Sequence, residues 1–101
     1  MSPLMNNTKW DEIRLAMSVF EGAIHWRTKD AESGYISRWD AEWFHHFRIG
    51  NYKYIEWLEI CLTNDNTSYV ISKLKEIRVP GEIDGDVLRV YGYKDGFVDF
   101  I

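Results

Sequence analysis

The run Tyr52 to Leu62, YKYIEWLEICL, limits the fold more than any other stretch of the chain. Side chains alternate along a strand, so Glu56, Leu58, Ile60 and Leu62 share one face, and Ile55, Trp57, Glu59 and Cys61 the other. Neither face is cleanly polar. A strand of that kind is expected at the centre of a sheet, with neighbours on both sides. The rest of the chain must therefore supply its partners and a cover.

Upstream, Trp10, Ile13, Met17 and Phe20 recur at helical spacing, with Ala16 on the same face. T-K-W-D from Thr8 fits a capping box with Asp11 in the Glu position, and Gly22 fits a C-cap, which places a helix over residues 8–21. The period then changes. Ile24 to Lys29 reads as a strand, D-A-E-S-G as a turn, and Tyr35 to Trp39 as a strand folding back in a hairpin. E-W-F-H-H-F-R-I, from Glu42 to Ile49, fits a third strand or a helical turn equally well. Beyond the central strand, T-N-D-N-T opens a second helix whose apolar stripe is Val70, Ile71, Leu74 and Ile77, stopped by Pro80-Gly81. Glu82 to Asp86 reads as an acidic loop, and Val87–Tyr93 with Phe97–Ile101 as a closing hairpin. This order predicts an α+β domain, an antiparallel sheet with two helices on one face.

At 101 residues the chain makes one domain, spanning 1–101, with residues 1–7 expected to be loose. Its net charge of −4 is uneven: residues 1–54 balance seven basic against seven acidic side chains, while residues 55–101 set five against nine. With no basic stripe and a pI of about 5.3, nucleic acid is disfavoured as a ligand. A single cysteine, Cys61, argues against a disulfide-stapled scaffold. No apolar run reaches membrane-span length, and the first residues lack the basic start and apolar core of a signal peptide. The expected address is the cytoplasm.

Glu42, His45 and His46 form the sharpest chemical constellation. On a helix their i,i+3 and i,i+4 spacing would turn them to one face as metal ligands; on a strand the two histidines point apart. The flanking Trp43, Phe44 and Phe47 favour a core-building segment, so no metal and no cofactor are expected. His46 or His25 with Asp40, Glu56 or Glu59 could act as an acid–base pair, but the spacing selects no partner and Cys61 lies in an apolar strand. Arg27, Lys29, Asp30, Arg38, Asp40, Glu42, Arg48, Glu56 and Glu59 sit among aromatics. They read as cross-strand ion pairs or, with Tyr and Trp, as a binding hot spot on a sheet face. Glu82, Asp84 and Asp86 read as a solvated loop or a steering patch; a calcium loop would need more oxygens at set spacing.

The strings W-R-T-K-D at Trp26, G-Y-I-S-R-W-D at Gly34, E-W-F-H-H-F at Glu42, I-E-W-L-E-I at Ile55, V-P-G-E at Val79 and V-Y-G-Y at Val90 resemble a family of small bacterial proteins built on a domain of unknown function. The resemblance implies one compact module. It carries over no activity and no catalytic residue. It also sets Gly at Ala41 and Tyr at His45, which implies that His45 is not an obligatory ligand.

These observations favour a non-enzymatic intracellular domain that binds another protein through Trp39, Glu42, Trp43, His46, Glu82, Asp84 and Asp86. A basic partner, as with immunity proteins that neutralise toxins, fits the acidic half; neither nucleic acid nor membrane does. The alternative is a small enzyme or ligand-binding domain using Glu42, His45 and His46. A pocket around a perturbed histidine would favour that alternative, and a flat aromatic patch with an acidic rim the binding domain.

Overall fold

The computed structural model describes residues 2–101. The elements run α1 (Asn7–Ser18), β1 (Trp26–Asp30), β2 (Ile55–Cys61), α2 (Thr67–Ile77), β3 (Gly81–Asp84) and β4 (Val87–Tyr91), with 3-10 turns at His46–Arg48 and Tyr52–Tyr54. The four strands form one antiparallel sheet in the order β1-β2-β4-β3. The α+β architecture and the central place of β2 are as expected.

Register explains how one sheet carries two unlike faces. Trp26, Ile60, Leu88 and Ile83 align across the strands, as do Thr28, Leu58, Val90 and Gly81. From these rows Trp26, Leu58, Ile60, Leu88 and Val90 are buried with Trp10, Ile13, Met17, Val70 and Leu74 of the helices, while Ile83 on the edge strand is exposed. Each large aliphatic side chain so buried contributes about 1.5–3 kcal/mol of transfer free energy. Phe20, Ile71 and Ile77 are partly buried against this core. The Tyr69 hydroxyl locks the helices together by donating to Ala16 O at 2.6 Å. The alternate rows, Arg27–Glu59–Arg89–Glu82 and Lys29–Trp57–Tyr91, face away from the helices.

Several expectations need correction. Helix α1 is capped two residues earlier than Thr8, by Asn6, whose side chain accepts from Lys9 N. It stops at Ser18, where the Ser18 hydroxyl turns back to Leu15 O, and Gly22 lies outside it. Leu4 N–H donates to Gly92 O and Pro3 bridges Tyr93, so the segment ahead of α1 is tied to the end of β4. Residues 35–40 follow β1 only through isolated bridges, Lys29 to Ile36 and Trp26 to Asp40. Glu82 to Asp84, expected as loop, is strand β3, and it is the hairpin partner of β4 in place of residues 97–101. Gly85 makes that hairpin possible: its φ of 62° starts a two-residue loop that other residues adopt at a cost. The C-terminal residues instead run beside Val79–Gly81, with Gly81 N–H donating to Asp99 O and Ile101 N–H to Val79 O.

The pairing of β1 and β2 slips between Lys29 and Asp30, leaving Glu56 without a β1 partner. This bulge reverses the expected facing at the start of β2: Ile55 is buried, and Glu56 joins Trp57 and Glu59 on the open face, where it pairs with Lys29 at 3.2 Å. Beyond the bulge, Glu56 O accepts from both Gly92 and Tyr93 N–H. Gly92 passes so close that a Cβ there would sit 2.1 Å from Ile55 O.

Candidate functional site

Glu59 is the centre of the open face. It is 4% exposed, and each of its oxygens meets a guanidinium from a neighbouring strand. Arg27 Nε donates to one at 2.8 Å; Arg89 Nε and Nη2 donate to the other at 2.9 and 2.6 Å. Arg89 Nη1 continues to Glu82 at 2.9 Å, and the Tyr91 hydroxyl donates to the same Glu82 oxygen. The result is one charge-assisted row across all four strands, Arg27–Glu59–Arg89–Glu82. Two guanidinium groups compensate the desolvation that would otherwise keep Glu59 out of so covered a position. Burial alone would lower the Arg89 pKa, but Glu59 and Tyr91 more than offset it and hold the group above its ordinary value. The Tyr91 hydroxyl, then Arg89, hold the Glu82 carboxyl below its own.

Aromatic rings frame this row. Trp39 lies 4.6 Å from the Arg27 guanidinium, and Trp57 5.8 Å from that of Arg89. Beside them a shallow groove of about 440 Å³ runs over β2 and β4, between Glu56, Trp57, Tyr91 and Tyr93, with Lys94 and Asp95 at its rim. The Lys94 ammonium sits 4.5 Å from the centre of the Tyr91 ring. Tyr93 is fixed by its hydroxyl, which donates to Lys53 O at 2.7 Å.

The Glu42–His46 segment has a different character. Of the two expected alternatives, a third strand or one helical turn, it takes the turn, as a 3-10 turn at His46–Arg48. The Glu42 carboxylate accepts from the backbone N–H groups of Phe44, His45 and His46, at 3.1, 2.9 and 2.7 Å, and so caps the short 3-10 turn. These bonds, led by the one from His46 N–H, hold its pKa down. Asp40 Oδ2 lies 2.8 Å from His46 Nδ1. Burial pushes the Asp40 carboxyl up, yet hydrogen bonds from Glu42 N–H and His46 leave it below its usual value. The segment reaches across to α1, where Arg14 donates to Phe44 O at 2.7 Å. Among the described residues no group of three or more His, Cys, Asp and Glu could hold a metal ion. Glu42 is occupied by backbone, His45 meets Phe44 edge to face, and one Asp–His pair remains.

The residues expected to form one surface thus separate. Trp39, 40% exposed, and Glu82 lie at opposite ends of the charged row. Asp84 and Asp86 continue from Glu82 into the β3–β4 turn. Glu42 and His46 belong to the capped turn beside β1. Trp43 is not a surface residue: it is 3% exposed, its indole N–H donates to Ile24 O, and it packs on Trp26 and Phe47. Cys61 and His25 are cross-strand neighbours through a Cys61 N–H bond to His25 O, but no hydrogen bond joins thiol to imidazole. The sequence reading missed Arg89, Trp57, Tyr91 and Tyr93 as members of the site. The signal for Arg89 and Tyr91 was the alternation of R-V-Y in β4, readable once β4 is paired with β2.

Among the described residues no helix is long and apolar enough to cross a membrane. The sequence profile of a family of unknown function, DUF6678, matches residues 1–96, and the chain belongs to that family. No curated protein and no solved structure matches it. Membership therefore brings no activity with it.

Proposed function

We propose that this chain is an intracellular protein-binding module that engages a basic protein through the open face of its sheet. The observation that carries this reading is the Arg27–Glu59–Arg89–Glu82 row with its flanking Trp39, Trp57 and Tyr91. Arg, Trp and Tyr dominate binding hot spots, and here ion pairs and cross-strand packing already fix them. Side chains ordered before binding lose less entropy when a partner arrives. Asp84 and Asp86 at the β3–β4 turn add carboxylates at one end of the face, in a chain of net charge −4. A prebuilt surface with surplus carboxylates at one end, on a small domain, parallels how immunity proteins cover a toxin's cationic active site; the parallel rests on size and charge.

A photo-crosslinking residue at Trp39, on the open face, should capture a partner in the source cell, whereas one at Leu15, exposed on α1, should not. With that partner purified, Asp84→Asn together with Asp86→Asn should slow association at low salt, and added salt should erase the difference. Capture from Leu15 alone, or an acidic captured partner, would overturn the reading.

A further inference from the structure

We infer that the groove over Trp57, Tyr91 and Tyr93 is a slot for one arginine or lysine side chain of the partner, and that Lys94, at its rim, covers the Tyr91 ring in the free protein. This rests on the protein-binding reading and names the chemistry of its contact. The slot has aromatic walls and carboxylates, Glu56 at its side and Asp95 at its rim. That pairing of rings with carboxylates is what a desolvated cation requires.

The chain itself already sets a cation on one of these rings. Lys94 leaves the end of β4 and folds its ammonium over the Tyr91 ring at 4.5 Å. Charge on the face points the same way. Arg27, Lys29 and Arg89 stand against Glu56, Glu59, Glu82 and Asp95, so without Lys94 the face holds one carboxylate too many. Arg89 cannot accept an anion in its place, because its guanidinium is already spent on Glu59 and Glu82. An incoming cation restores the balance that Lys94 provides, and Lys94, exposed and next to the Asp95-Gly96 turn, is free to leave.

The test uses the whole chain and small probes: the N-acetyl amides of arginine, lysine, norleucine and aspartate, titrated while the indole N–H signal of Trp57 is followed by NMR. The arginine and lysine probes should give saturable shifts, and the norleucine and aspartate probes should not. Lys94→Ala should tighten the arginine probe about two- to fivefold, the factor expected from releasing one exposed cation–π contact. Lys75→Ala, which removes the same charge from α2, should leave it unchanged. Glu56→Gln with Asp95→Asn should weaken it. Saturable binding of norleucine or aspartate, no binding of arginine and lysine, or equal effects of Lys94→Ala and Lys75→Ala would each overturn the slot. None of these outcomes touches the crosslinking result, so the slot can fail while the binding face stands.

Discussion

Leu58 and Glu59 are neighbours in β2, and both are almost withdrawn from solvent, at 0% and 4% exposure, by unlike means. Leu58 is covered by the helices and by apolar rows from the same sheet. Glu59 is covered by the arms of Arg27 and Arg89, which also neutralise it. The helix-side face is built to exclude water, and its energy comes from area and fit. The open face is built to organise charge, and its energy comes from partners that leave each other unsatisfied if one is lost. One face makes the fold; the other presents chemistry upon it.

Substitutions in β2 can break this contrast. Leu58→Ala should cost about 2–5 kcal/mol as a core truncation, measured by denaturant unfolding. A loss below 1 kcal/mol would mean that the helices do not close over this row. Glu59→Gln should cost less, about 1.5–3 kcal/mol, the range for hydrogen bonds to charged groups. If it behaved like a surface change, the row would be a decoration of the strands and not part of their cohesion.

The smallest effect is expected at Glu82, which is more open to water. Its folded pKa lies below the ordinary 4.5, so its stabilisation is present above that value and is lost as pH falls through the folded one. Wild type and Glu82→Gln should differ by under about 0.5 kcal/mol at neutral pH, with the two curves meeting in acid. A difference that grows as pH falls would contradict this sign.

The covered face was largely legible in the sequence. The spacing of Trp10, Ile13 and Met17, and of Val70 and Leu74, states a helical period whatever the partner. The mixed faces of β2 likewise announced a central strand. The open face was less legible because its logic is long-range: Glu59 meets Arg27 and Arg89 from 32 and 30 residues away. The acidic run at Glu82 suggested a loop, because nothing local shows that Arg89 and Tyr91 will satisfy a carboxylate on an edge strand. Trp43 was misplaced for a related reason. The segment read as core-building, but its pattern left open which side chains turn inward, and Trp43 and Phe47 do so around a 3-10 turn that follows neither the helical nor the strand period.

The irregular segments beside the sheet bear on how the molecule behaves in a crowd. An unprotected edge strand offers its hydrogen-bonding groups to any other chain, and aromatic side chains nearby would add to the attraction. Here residues 35–40 cover the outer edge of β1, with Ser37 N–H on Thr28 O and an exchange of bonds between Trp26 and Asp40. At the opposite edge, Asp99 and Ile101 occupy the start of β3, which is four residues long and carries Glu82 and Asp84. Sheet extension from copy to copy is thereby obstructed at one edge by backbone already paired and at the other by shortness and charge. The molecule can hold tryptophan and tyrosine toward solvent at high concentration without inviting itself into fibres.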